Sequence, residues 1–280
     1  MHLPEDWDKP DKGNDILCRR FKHGVWTGHY TDHNNDTDQL NYRYFIPEIT
    51  TEGNEGTLPL ALYLHGADAF GDDNDSQLSI HDIGTMFVRD EWQAIHPCCV
   101  IAPQCSRGRH WSNQDVLRLL HMSLNTFIDE HPVIDISRIY VYGYSAGGLG
   151  VLNLIKSYPG YYAGAISICG ATGADRSELL LKTPLWMVHA IDDNIVKATY
   201  KHRFFENDTS HYGYYMGSKD LYERLKKLWP FDDDRINYTE YPEGFMKENF
   251  NINPHCSWVT VSDQKSGIEF REWLFRQKRT

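Results

Sequence analysis

The segment RIYVYGYSAGGLGVLNLIK, residues 138–156, runs a β-type alternation straight into a serine ringed by four glycines, then into an apolar helical pattern. Few local structures need so many small residues around one hydroxyl. Glycines between a strand and a helix can let backbone N–H groups cradle a phosphate, but that use needs a following Lys-Ser/Thr or a dinucleotide spacing. Neither is present: the first lysine after Gly148 is Lys156, and no G-x-G-x-x-G occurs. The other use is a nucleophile on a tight strand-to-helix turn, where bulky neighbours would collide. Gly143-Tyr144-Ser145-Ala146-Gly147 has the G-x-S-x-G form of that turn.

The flanking sequence repeats the strand-then-helix theme. Strand patterns fall at 40–48, 58–66, 98–104, 139–145, 164–170, 184–190 and 236–242, with helical patterns at 115–129, 147–158, 218–229 and 265–278. Such alternation predicts an α/β fold with a mostly parallel central sheet and helices on both faces. LPLALYLHG, almost continuously apolar, reads as a central strand buried on both sides. No internal repeat, linker or low-complexity tract interrupts the pattern, so residues 1–280 are expected to form a single domain.

A serine hydroxyl becomes a useful nucleophile only when a base takes its proton, so a histidine and a carboxylate are expected later in the chain. The loop after PLWMVHA carries Asp192 and Asp193, and the loop after INYTEYP carries NPHCSW with His255. Serine, acid, histidine is the chain order of a hydrolase built on such a sheet. Spacing alone does not separate Asp192 from Asp193. Of the fourteen histidines, His255 is favoured by its place before the C-terminal helix; His65, beside Gly66 at a strand end, is read as shaping its loop.

Composition removes other classes. The formal net charge is −11 with no block of Lys and Arg, which argues against nucleic acid. No run suits a membrane span, and MHLPEDWDKPDKGND lacks the basic and apolar regions of a secretory leader. As given, the chain reads as cytoplasmic, or as secreted if it is the mature form of a longer precursor. Six cysteines are spread without CxxC or zinc spacing and read as buried thiols, and no metal site is expected.

Several motifs together resemble the α/β-hydrolase esterases of the phospholipase/carboxylesterase and polyhydroxybutyrate-depolymerase-like group, which includes feruloyl and other carbohydrate esterases. LYLHGADAFGDDNDSQL is similar to that group's L-H-G-A-G-x-x-G-x-D-N-x-x-Q-L. VIAPQC with Trp111, RIYVYGYSAGG and YAGAISICG resemble its next strand ends. PLWMVHAIDDNIV resembles W-x-x-H-G-x-x-D-x-x-V, and NPHCSW resembles G-H-x-x-W, the whole likeness running from about residue 40 to the C-terminus. Tyr144 and Ala146 stand where Leu and Met are usual, while Ala190 and Pro254 replace glycines. These departures bear on the pocket and spare the catalytic groups.

The resemblance implies a triad of Ser145, Asp193 and His255, with backbone N–H groups of Ala67 and Ala146 as the oxyanion hole. It places Asp68, Gln104, Trp111, Tyr144 and Trp258 as candidate substrate contacts. The implied activity is a serine carboxylic-ester hydrolase working through an acyl-enzyme on acyl or feruloyl esters of carbohydrates or similar small esters, with no cofactor. A serine peptidase of the same fold and a non-catalytic binding protein of that fold are the rivals. The aromatic-rich stretch 200–217 is a candidate lid or pocket wall. DHNNDTD, 32–38, lacks the glycine and terminal glutamate of a calcium loop and reads as a solvated acidic turn. Cys105 and Cys256 are a candidate disulfide only in an exported protein.

Overall fold

Along LPLALYL every residue is buried, and alternate side chains feed two different cores. Leu60, Leu62 and Leu64 join Ile139 and Val141 on one face, while Ala61 and Tyr63 join Tyr140, Tyr142 and Tyr144 on the other. A strand can do this only inside a sheet covered on both sides. Each fully buried leucine contributes about 1.5–3 kcal/mol.

The computed structural model describes residues 15–29, 37–48, 57–199, 215–231 and 233–279. In chain order the strands are β1 Lys22–His29, β2 Thr37–Phe45, β3 Leu58–Leu64, β4 Cys99–Pro103, β5 Ile134–Tyr144, β6 Gly164–Ile168, β7 Ala171–Gly173, β8 Leu185–Ala190, β9 Tyr215–Gly217 and β10 Ile236–Tyr241. Eight form one sheet in the order β1-β2-β4-β3-β5-β6-β8-β10, and β7 pairs with β9 separately. Only β2 runs against its neighbours β1 and β4; the remaining pairings in the large sheet are parallel.

Helices Gln114–Glu130, Ala146–Ser157 and Ser218–Leu228 cover the leucine face with Leu120, Leu124, Val151, Leu152, Leu221 and Leu225. The tyrosine face lies under the 3-10 segment Asp82–Val88 and helix Ile268–Arg276, through Ile83, Phe87, Phe270 and Trp273. This is the doubly covered sheet that the alternation predicts. β1 was not among the expected strands. It is an edge strand with two glycines and exposed His23, Val25 and Thr27, so backbone pairing with β2 defines it rather than an apolar pattern.

All six cysteines are buried free thiols, so Cys105 and Cys256 are not bonded to each other. No helix among the described residues is long and apolar enough to cross a membrane. Residues 32–36 of the acidic turn and 200–214 of the aromatic stretch lie outside the described residues.

Candidate active site

β3 and β5 are parallel neighbours, with Leu64 opposite Gly143, so their C-terminal ends open side by side. β5 turns into helix Ala146–Ser157 at Ser145, whose φ of 53° and ψ of −120° are costly for a non-glycine residue, about 1–3 kcal/mol. The turn fits because its flanks have no side chains. A Cβ on Gly143 would lie 2.5 Å from the Leu64 carbonyl oxygen, and one on Gly147 only 2.0 Å from it. The Ser145 N–H donates to Ile168 O at 2.9 Å, pinning the turn to β6.

His255 arrives on the 3-10 turn Pro254–Cys256. Asn253 Oδ1 caps that turn by accepting from the His255 N–H at 2.9 Å, and Pro254 occupies its first position. Proline suits that place, because it has no N–H to leave unsatisfied. The ring faces Ser145 Oγ through Nε2 at 2.9 Å and Asp193 Oδ2 through Nδ1 at 2.7 Å. Three side chains far apart in sequence thus form one hydrogen-bonded line.

The structure separates the adjacent acids. Asp192 Oδ2 accepts from the Gly244 N–H at 2.9 Å, on the loop after β10, while Asp193 turns inward and is buried. Asp193 Oδ1 accepts from the N–H groups of Ile195 at 2.8 Å and Val196 at 3.0 Å. Burial alone would raise this carboxyl, but its electrostatic interaction with His255 and hydrogen bonds from His189 and His255 outweigh it and hold it well below the usual carboxylate range. An ionised Asp193 only accepts, so His255 Nδ1 carries the proton and Nε2 is left to accept from Ser145 Oγ–H.

His189, the histidine of PLWMVHA, had no role predicted from sequence. Its Nε2 faces Asp193 Oδ2 at 3.1 Å and Val196 O at 2.7 Å, both acceptors, so Nε2–H donates and steadies the acid. A histidine in an otherwise apolar buried strand, four residues before the acid, is the signal that could have found it.

Ala146 heads a helix and Ala67 heads the 3-10 turn Ala67–Ala69, positions whose N–H groups have no acceptor within their own element. Both residues and Ser145 line a cavity of about 540 Å³. Phe70, Leu149, Ala171, Val196 and Tyr215 give it apolar walls, and His110 and Ser112 supply polar groups. Ser112 N–H donates to His110 Nδ1 at 3.1 Å. Of these seven only Tyr215 lies in the stretch the sequence marked as a lid or pocket wall, the aromatic-rich 200–217; the other six come from separate segments with no shared spacing. Tyr215 is the first described residue after the 200–214 stretch.

The five expected substrate contacts are placed differently: none lines this cavity. Gln104 holds the loop after β3, donating to Asp73 Oδ1 and accepting from Asn74 N–H. Trp111 donates to His65 O at 3.0 Å. Tyr144 and Asp68 bond each other at 2.7 Å, and Trp258 packs against Tyr144 and His255. Hydrogen bonds and ring packing hold these side chains outside the cavity lining, which spacing does not reveal. His65 is buried, accepts from Cys105 N–H and braces its loop as expected.

The sheet order, the strained serine turn and the acid and histidine loops define the α/β-hydrolase fold. Among solved structures, the chain is similar to a thermostable esterase at 29% identity and TM-score 0.78, covering 94% of this chain and 64% of that one. It is also similar to an acylaminoacyl peptidase of Pyrococcus horikoshii (14%, TM-score 0.58, 93% and 42%). A third likeness is to Est1E from Butyrivibrio proteoclasticus (12%, TM-score 0.52, 90% and 99%). The chain thus spans less than two thirds of the thermostable esterase and less than half of the peptidase. No family model and no curated protein matches it.

Proposed function

We propose that the chain is a serine carboxylic-ester hydrolase of the esterase group its motifs resemble. The observation that carries this is the continuous line Asp193–His255–Ser145 ending at a cavity that two helix-heading amides also border. In the first step His255 Nε2 takes the Ser145 proton as Oγ attacks the ester carbonyl carbon. The resulting oxyanion accepts from the Ala67 and Ala146 N–H groups. The carbonyl re-forms, the C–O bond to the alcohol breaks, and His255 returns the proton to the departing alkoxide. Water then repeats the sequence on the acyl-enzyme, releasing the acid and restoring Ser145.

The substrate we assign is an acyl or feruloyl ester of a carbohydrate, or a similar small ester. Support comes from a volume in the range of small-molecule sites and from walls of Phe70, Leu149, Val196 and Tyr215, which suit an alkyl or aryl acyl group. A panel of acetylated sugars, feruloyl esters, p-nitrophenyl alkyl esters and aminoacyl anilides tests this, with Ser145→Ala as control. Ester turnover that vanishes in Ser145→Ala is the expected result; anilide cleavage without ester cleavage would replace the reading with a peptidase.

A further inference from the structure

An oxyanion hole works only if its two donors keep a fixed separation, and here they belong to different strand ends. Ala67 follows β3 and Ala146 follows β5; between those ends the strand ladder has already stopped, its last pair being Leu64 with Gly143. Something beyond the ladder has to hold the two loops in register.

The Tyr144 side chain spans the gap. Tyr144, immediately before the serine, donates its O–H to Asp68 Oδ1 at 2.7 Å, and Asp68 immediately follows Ala67. The second carboxylate oxygen accepts from His81 Nε2–H at 2.6 Å. Asp68 is nearly buried, its side chain 9% exposed, and Tyr144 is fully buried. Desolvation would raise the Asp68 carboxyl, but His81 and Tyr144 outweigh it and hold it low. Burial pushes the Tyr144 phenol far up, so it remains a donor. Trp258 packs on Tyr144, His81 and His255 with ring centroids 4.4, 5.0 and 5.7 Å away, closing the assembly against the base. Gly66 completes the fit: a Cβ there would stand 2.4 Å from the Tyr144 ring and 2.9 Å from Asp68 Oδ1.

In the motifs this sequence resembles, position 68 carries glycine and position 144 leucine. Neither of those residues could make this bond. The two departures are therefore mutually dependent: an aspartate here without the tyrosine would lose one of its two donors, and a buried tyrosine without the aspartate would lose the carboxylate that accepts its O–H.

We infer that Asp68 and Tyr144 form a clamp that positions the Ala67 and Ala146 amides relative to each other. Both are positioning residues acting through the amides, and the inference rests on the proposed acyl transfer at Ser145. Loss of the clamp acts mainly on the transition state, because the charge the amides hold develops there. A displaced donor costs about tenfold to a hundredfold in rate.

The test compares wild type with Tyr144→Phe, Asp68→Ala, Asp68→Asn and the double variant Tyr144→Phe/Asp68→Ala. Two quantities are read: kcat and KM on p-nitrophenyl acetate, and the second-order rate of Ser145 phosphonylation by an alkyl fluorophosphonate. Tyr144→Phe keeps the ring and is expected to fold, which its melting curve checks. The expected result is a fall of about tenfold or more in kcat and in phosphonylation for Tyr144→Phe and Asp68→Ala, with KM little changed. Asp68→Asn, which keeps a carbonyl acceptor for the phenol, should recover most of the rate. The double variant should be no worse than the poorer single one, since each cuts the same bond. Undiminished phosphonylation in a folded Tyr144→Phe, or additive losses, would overturn the clamp. A wild type that reacts with the fluorophosphonate but turns over no ester would overturn the esterase reading while leaving the clamp to be judged on phosphonylation. An unreactive wild type would overturn both.

Discussion

Replacing Asp193 by Asn should disable the site through a tautomer rather than through a loss of shape. Asp193 Oδ1 is fixed by two backbone donors, the N–H groups of Ile195 at 2.8 Å and Val196 at 3.0 Å. An Asn side chain must keep its carbonyl oxygen there, because turning the amide round would set N–H against N–H. Its NH2 then occupies the Oδ2 position, 2.7 Å from His255 Nδ1. Facing a donor, Nδ1 has to accept, so the imidazole proton moves to Nε2, which lies 2.9 Å from Ser145 Oγ. The base is then already protonated on the side where it must take a proton. The expected loss in kcat is about 10⁴-fold, equivalent to about 5.4 kcal/mol of barrier. Steady-state hydrolysis of a p-nitrophenyl ester measures it, and a proton spectrum should show the low-field His255 Nδ1–H signal disappear. A folded Asp193→Asn protein within about tenfold of wild type would refute the assignment of Asp193 as the orienting acid.

Two further perturbations test other parts of the structure. Gly147→Ala puts a Cβ 2.0 Å from the Leu64 carbonyl oxygen, a backbone atom that cannot swing aside, so stability should fall by about 3 kcal/mol or more in urea unfolding; wild-type stability would show that the turn is looser than described. Burial pushes the His65 imidazole down to about 4, so between pH 6.5 and 4 the unfolded chain takes up a proton there that the folded protein refuses. Stability should therefore fall with pH across that window, by on the order of 3 kcal/mol from this residue, and urea midpoints unchanged from pH 6.5 to 4.5 would contradict it.

The parts of this molecule legible in sequence are those fixed by local constraint. Strand alternation at 139–145 and the glycines at 143 and 147 act within a few residues, so the turn and its serine could be read directly. His255 was legible through chain order and its place before the C-terminal helix. Asp192 and Asp193 were not separable by pattern, because their difference lies in which of them meets the N–H groups of Ile195 and Val196. β1 was missed because an exposed edge strand with two glycines carries no apolar period. The expected contacts that do not line the cavity share another cause. Gln104 follows β4, Trp111 lies in the loop beyond it, Tyr144 ends β5 and Trp258 heads the helix Trp258–Ser262, yet each has a polar atom or a large ring that finds its partner outside the cavity lining. Burial and hydrogen-bond demand set the direction of such side chains, and both depend on neighbours distant in sequence.

The central claim is that Ser145 is poised as a nucleophile by His255. Intact-mass analysis after treatment with an alkyl fluorophosphonate, followed by peptide mapping, addresses it most directly. One adduct per chain on Ser145, absent from Ser145→Ala and strongly slowed in His255→Ala, is the predicted result. No adduct on folded protein, or an adduct on a different residue, would contradict it.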